Sequence, residues 1–183
     1  IRAAYLHTGL DERGSEFRAM AQFGEAPGFF ADYYRPLDDG LKYTFQPGFS
    51  LFSRPLLIYD AKGHALTEIE LDEVGISLAF AREFGRYARL TAGYTRYAGS
   101  MDITIGNPVL TPFDFDGAEA FIELEIDRVD DRYLPTRGDL ATMKYTDSSE
   151  GLGADTRFNQ FELAMFSSHS FGLHNIILGA QYN

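Results

Sequence analysis

FIELEIDRVDDRYLPTRG, residues Phe121 to Gly138, is the stretch on which the fold turns. It opens with strict alternation. Ile122, Leu124 and Ile126 point one way; Glu123, Glu125 and Asp127 point the other. A repeat of two is that of a β-strand, whose successive side chains leave opposite faces. The stretch closes in a Pro135-Thr136-Arg137-Gly138 turn, and a new alternating strand starts directly after it. A soluble sheet can carry this pattern, with one face on a core and the other in water. So can a membrane barrel, with an oily outside and a polar lumen.

The same alternation recurs along the chain, giving ten segments and little that is helical. The apolar members are Phe17, Ala19, Ala21 and Phe23; then Tyr43, Phe45, Phe49 and Leu51; then Val74, Ile76, Leu78 and Phe80. Further on they are Ala88, Leu90, Ala92 and Tyr94; Ala141, Met143 and Tyr145; Phe161, Leu163 and Met165; and Ile176, Leu178, Ala180 and Tyr182. Ile1 to Thr8 and Gly28 to Arg35 alternate less cleanly, because the pairs Phe29-Phe30 and Tyr33-Tyr34 blur the faces. Leu66 to Arg82 reads as one extended element with a phase slip near Asp72-Glu73, which predicts a bulge there. In a barrel its upper part would stand above the membrane. The interleaved polar set includes Glu16, Arg18, Lys42, Arg89, Lys144 and Glu162, of both signs. In water such residues need no partner; lining a lumen they would pair across strands.

Connections read as two kinds. Compact turns are expected near Asp11 to Gly14, Asp38 to Gly40, Phe84 to Arg86, Pro135 to Gly138 and Phe171-Gly172. Longer loops are expected at Asp60 to Ala65, Ser100 to Asp116 and Ser148 to Asp155, with the short Gly24 to Gly28 turn as the exception on that side. Short turns at one rim and long loops at the other are the habit of outer-membrane barrels. A soluble sandwich has loops at two ends with less regular asymmetry. Pattern alone leaves both open.

Composition narrows the classes. The 183 residues suffice for one domain, and 45% hydrophobic with 23% charged residues argues against disorder. Phe 16 and Tyr 11 against Trp 0 favour β structure. A net charge of −11 without a basic cluster argues against nucleic acid and against adhesion to an anionic leaflet. Cysteine is absent, so there is neither a disulfide framework nor a cysteine metal site. No run approaches the roughly eighteen apolar residues of a membrane helix. The mean hydropathy of −0.20 suits a soluble protein, and equally a barrel in which alternate residues face lipid. Ile1-Arg2-Ala3-Ala4-Tyr5 reads as strand rather than as a signal peptide, and both ends read as cut from something longer.

Signs of chemistry are few. The chain has no G-x-S-x-G elbow, no phosphate-cradling glycine loop and no H-E-x-x-H. His7, His64, His169 and His174 are scattered; the last two bracket a tight turn and read as exposed turn histidines rather than a zinc pair. Asp114 and Asp116, placed in the long loop, read as solvated charges rather than calcium ligands, since no glycine-centred loop accompanies them. Glu123, Glu125, Asp127, Asp130 and Asp131 form an acidic stretch that could be a carboxylate active site. Nothing nearby supplies a paired acid or an activated nucleophile, so a lumen or solvent face is the better reading. No catalytic residue, cofactor or metal site is therefore expected.

The element Asp127-Arg128-Val129-Asp130, followed by Pro135-Thr136-Arg137-Gly138, resembles the D-x-x-D and P-T-R-G element of the bacterial surface antigen barrels. That superfamily includes the outer-membrane barrel-assembly subunit and the two-partner secretion transporters. Phe52-Ser53-Arg54-Pro55, Tyr59-Asp60, Leu71 to Ser77, and Ala98 to Pro108 with Gly106-Asn107-Pro108 are similar to the barrel attached to bacterial patatin-like phospholipases. The resemblance implies an all-β, antiparallel, up-and-down transmembrane barrel, of which residues 1–183 would be about ten of about sixteen strands. It implies a periplasmic turn at Pro135 to Gly138 and a bacterial outer-membrane location. It gives Asp127, Asp130, Pro135, Thr136 and Gly138 a structural role in that turn. The V-R-G-[FY] loop motif and the patatin Ser-Asp dyad are not in the chain.

The expected role is that of an outer-membrane anchor and translocator of a patatin-like phospholipase, not itself an enzyme. Its expected partners are outer-membrane lipid and the N-terminal lipase and transport-associated domains of the same polypeptide, without nucleic acid and with a homo-oligomer left open. The alternatives are a protein-assembly or secretion barrel, and a soluble β-sandwich binding module.

Overall fold

A computed structural model describes residues 1–59, 62–106, 111–131, 133, 135–172 and 174–183, with side chains given for all of these except Ala65 and Gly106. The Gly106-Asn107-Pro108 loop and Asp60 of the Tyr59-Asp60 pair lie outside the described residues, in whole or part. Ten strands form one sheet: β1 (Arg2–His7), β2 (Glu16–Gln22), β3 (Gly28–Pro36), β4 (Tyr43–Tyr59), β5 (Ala65–Phe84), β6 (Ala88–Gly106), β7 (Phe113–Asp127), β8 (Arg137–Ser148), β9 (Phe158–Phe171) and β10 (His174–Tyr182). Each pairs antiparallel with its neighbour in sequence, from β1 through to β10, and the sheet is open. A 3-10 turn, Glu150–Leu152, interrupts the pattern. No helix of the described residues is long and apolar enough to cross a membrane.

Register converts the alternation into two faces. Directly paired residues share a face. Phe29 lies opposite Leu51, Leu51 opposite Val74, and Val74 opposite Ala98. Ile122 lies opposite Tyr145, Tyr145 opposite Phe161, and Leu163 opposite Tyr182. Every apolar set read from the sequence falls on this one face. The ambiguous third strand resolves too: Phe29 and Ala31 join the apolar face, while Phe30 and Asp32 take the other.

The sheet has almost no apolar core. Among the described residues the buried hydrophobic ones are Ile69, Ala81 and Ala118 on strands and Ala154 in the connection before β9. The largest fully buried side chains are instead Thr44, Pro36, Ser15, Ser148 and Ser168. Ile76 and Phe80, midway along the apolar face, keep 56% and 50% of their surface exposed. No second sheet lies on that face among the described residues. A soluble sandwich would cover it, since a bare apolar face of this breadth is rare on monomers in water.

Strand stagger is regular. One row of paired residues runs Tyr43, Arg82, Leu90, Leu124, Met143, Leu163 and Tyr182. It starts at the first residue of β4 and ends at the last residue of β10, and so crosses from one rim to the other. The strands are thus displaced in one sense wherever they shift, most between β7 and β8, and stay level within the β5–β6 and β9–β10 hairpins. Tilted, staggered strands are what a sheet needs to close into a barrel.

Three sequence expectations are corrected. The β5 bulge is absent from Asp72-Glu73, where pairing with β4 and β6 is continuous; irregularities fall at Glu68/Ile69 and Ile58/Tyr59. The hydrophobic phase changes at Asp72 without a backbone slip, because the faces exchange character there. Ile69 is buried on the polar side, while Asp72 and Glu70 continue the apolar one. The expected loop at Ser100 to Asp116 is also mostly strand, whereas the one at Ser148 to Asp155 is indeed a connection, spanning residues 149–157. Residues 100–106 belong to β6 and residues 113–116 to β7, so Asp114 and Asp116 sit on β7 rather than in a loop. The asymmetry between the rims therefore lies more in strands that overshoot the apolar band than in loop length. Lys42 precedes β4 in the turn at residues 37–42, where its N–H and that of Tyr43 donate to Asp38 Oδ1 at 2.9 and 2.8 Å.

Candidate functional site: a polar wall and its hairpin base

The polar face gathers the charges that alternation set aside. Asp32 is only 5% exposed and accepts from Arg18, with Nη2 at 2.8 Å. Gln46 Nε2 donates to the same carboxylate oxygen at 3.2 Å. A buried carboxylate must be paired to stay charged, and these contacts across β2, β3 and β4 pair it. Arg89 Nε lies 3.5 Å from Glu83 and sits opposite Glu125 in the register. Lys144 is flanked by Glu123 on β7 and Glu162 on β9, and its Nζ stands 5.0 Å from the centre of the Phe121 ring. Glu16, Arg18, Arg89, Lys144 and Glu162 thus share the polar face, as a lumen lining would require.

Between β6 and β7 aromatic rings lie on glycines. Phe121 is opposite Gly93, Tyr97 opposite Gly117, and Phe115 opposite Gly99. A Cβ at any of these glycines would collide with the facing ring. The missing side chain lets the ring lie flat against the strand, and the ring in turn covers the glycine backbone. The Tyr97 hydroxyl ends 3.1 Å from Glu119 Oε1.

The turn at residues 128–136 is built around Asp130. Its Oδ1 accepts the amides of Thr136 at 2.9 Å, Arg137 at 3.1 Å and Asp131 at 3.0 Å. Its Oδ2 accepts the Thr136 hydroxyl. These donors hold the Asp130 carboxyl well below its ordinary value, the Thr136 hydroxyl first among them. Asp127 closes β7 and accepts the Val129 amide at 3.2 Å. Gly138 has φ 114, and a Cβ there would meet the Arg128 carbonyl oxygen. Pro135 presents its carbonyl to Asn175 Nδ2 at 2.7 Å and to Ser168 Oγ at 2.8 Å. The Thr136 carbonyl accepts Ser170 Oγ at 2.9 Å. The structure therefore brings Asp130, Thr136 and Gly138 into one turn, with Asp127 at its entry and Pro135 bridging to β9 and β10. Sequence reading missed Ser168, Ser170 and Asn175. The Ser167-Ser168-His169-Ser170 run was the signal for the two serines: Ser168 and Ser170 fall on the polar face, alternating with outward Ser167 and His169.

At the opposite rim the connection at residues 149–157 folds over the apolar face. The Tyr94 hydroxyl donates to the Leu152 carbonyl at 2.9 Å, and Arg96 donates to the Gly153 carbonyl and pairs with Asp116 at 3.0 Å. The Asp116 and Asp155 amides complete the clasp, donating to Asp155 Oδ2 at 2.7 Å and to the Asp116 carbonyl at 2.9 Å. His169 and His174 are exposed on β9 and β10; His169 Nε2 is 3.0 Å from Ser167 Oγ. No group of acidic or histidine side chains that could hold a metal occurs among the described residues.

A single antiparallel meander with its apolar side bare below the 149–157 connection, its polar side crowded and paired, and its strands obliquely staggered is the wall of a transmembrane β-barrel. Comparison with known families agrees. The Omp85 superfamily domain matches residues 12–183, and the chain belongs to that superfamily, whose domains are bacterial outer-membrane β-barrels. No curated protein matches the chain.

Proposed function

We propose that this chain is part of the outer-membrane barrel that anchors, and serves as translocator for, a patatin-like phospholipase encoded in the same polypeptide. The observation that carries the barrel role is the continuous apolar face on an open, staggered sheet. Its work is physical rather than chemical. The outward residues enter the hydrocarbon, the ladder satisfies backbone N–H and C=O groups that lipid cannot, and the polar face lines a wet interior. The unpaired outer edges of β1 and β10 leave room for further strands, in keeping with the barrel of about sixteen that the resemblance implies for the whole protein. The turn rim, which carries the Asp130 hairpin, faces the periplasm in this reading.

The lipase partnership rests on the resemblance at Phe52-Ser53-Arg54-Pro55, Tyr59-Asp60, Leu71 to Ser77 and Ala98 to Pro108. The second reading, a barrel for protein assembly or secretion, is favoured by the superfamily match itself. The encoded sequence upstream of Ile1 separates them: a G-x-S-x-G in a patatin context supports the first, and transport-associated domains alone support the second. The barrel role is tested at Leu163, flanked on the outward face of β9 by Phe161 and Met165 and then by polar Asn159 and Ser167. That places Leu163 at the middle of the band. Leu163→Arg should lose about 2–4 kcal/mol of membrane stability and disappear from the outer-membrane fraction. A variant that stays folded and water-soluble sinks the barrel reading.

A further inference from the structure

The outward face differs in charge between its two rims. Beyond the apolar band at the loop rim stand Glu70, Asp72, Asp102 and Asp114, paired in register on the outward side of β5, β6 and β7. Along the turn rim the outward margin of β3, β4 and β5 runs Arg35, Tyr43, Arg82 and Phe84. In a chain of net charge −11 this is a local reversal. The Arg82 guanidinium lies 5.6 Å from the Tyr43 ring centre and 4.7 Å from that of Phe84. Both rings and Arg82 are exposed, and Arg82 forms no ion pair among the described residues. The nearby turn carboxylates are otherwise engaged. Asp38 accepts the Lys42 and Tyr43 amides, Asp39 pairs with Arg13, and Asp11 accepts the Ser15 hydroxyl at 2.6 Å. Arg35, two strands away, lends its field to Asp11.

An arginine held between two rings at the edge of a lipid-facing surface has its stem in hydrocarbon and its fork at headgroup depth. The fork matches a phosphate in a bidentate way, and the rings fix it without neutralising it. We propose that Arg82, clamped by Tyr43 and Phe84, is a binding site for the phosphodiester of an anionic phospholipid in the leaflet at the turn rim. Arg35 adds positive potential beside it. This rests on the barrel reading, and it explains why the acidic chain carries an uncompensated cation on its lipid face.

The test is native mass spectrometry of the full-length protein, delipidated in neutral detergent and titrated with phosphatidylglycerol, phosphatidylcholine or inorganic phosphate. The wild type should retain phosphatidylglycerol in preference to phosphatidylcholine and be indifferent to millimolar inorganic phosphate. Arg82→Gln should weaken that retention roughly fivefold, about what one arginine near an anionic surface contributes. Arg82→Lys should recover part of it, and Arg157→Gln, at the loop rim, should leave it unchanged. Equal retention by Arg82→Gln and wild type overturns the proposal, as does displacement by inorganic phosphate. Insertion into bilayers without any preference for phosphatidylglycerol overturns this inference alone, whereas failure to enter detergent or bilayer at all takes the barrel reading down with it.

Discussion

Asp130 shows what a single carboxylate can organise. It gathers the Asp131, Thr136 and Arg137 amides and the Thr136 hydroxyl, donors that a chain reversal leaves without ladder partners. Because these contacts favour the charged form, its titration is lowered in the folded state. The sign follows: the stability the carboxylate adds is complete above the ordinary carboxylate range and declines as pH falls below it. Hydrogen exchange at the Thr136 and Arg137 amides, taken relative to the intrinsic rate at each pH, should therefore stay slow from neutral pH down to about pH 4 and accelerate in stronger acid. In Asp130→Ala it should be fast throughout; slow exchange in that variant would show that another group holds the turn. Gly138→Ala meets a backbone oxygen at positive φ, so it should cost about 1–3 kcal/mol in unfolding measurements.

At the scale of the element, the β6–β7 hairpin carries the most specific packing. Its rings need the glycines opposite them, and a side chain there must push a ring off the sheet. Gly93→Val should destabilise by about 1–3 kcal/mol, read as a lower temperature for loss of the compact, heat-modifiable band on electrophoresis. Valine at Thr95, also on the polar face but opposite Glu119 rather than a ring, should shift that temperature much less. Equal shifts would mean that polarity, not ring seating, decides. The overshoot of β4 to β7 belongs to this scale as well. There the outward residues become Asp72 and Glu70 and the inward ones Ile69 and Leu71, since the outer surface has left the lipid.

For the whole molecule, the open sheet makes a distinct prediction. β1 and β10 are each paired on one side only, so their outer ladder groups await partners. In the full-length protein, amides of β1 and β10 should exchange as slowly as those of β5 and β6, because a closed barrel leaves no edge. Fast exchange confined to these strands would mean that no further strands cover them. The same closure explains how a chain with so few buried apolar residues can be stable at all: lipid, not protein, covers its hydrophobic surface.

Ten strands, their order and the two faces were legible in Phe121 to Gly138 and in the segments like it, because a period of two needs only neighbours in sequence to be read. Asp130, Thr136 and Gly138 were singled out through a family resemblance, while the amides that the Asp130 carboxylate gathers are seen only in the structure. Three things depended on tertiary structure. The blurred faces of β3 were settled only by pairing with β2 and β4, since Phe29-Phe30 and Tyr33-Tyr34 are locally symmetric. The length of the Ser100 to Asp116 loop was misjudged because polar residues above a membrane can be strand as readily as loop. Above all, alternation is identical for a sheet facing water on one side and one facing lipid on the other. Only the register, the stagger and the bare apolar face decide between them, since they alone show whether protein covers the hydrophobic side.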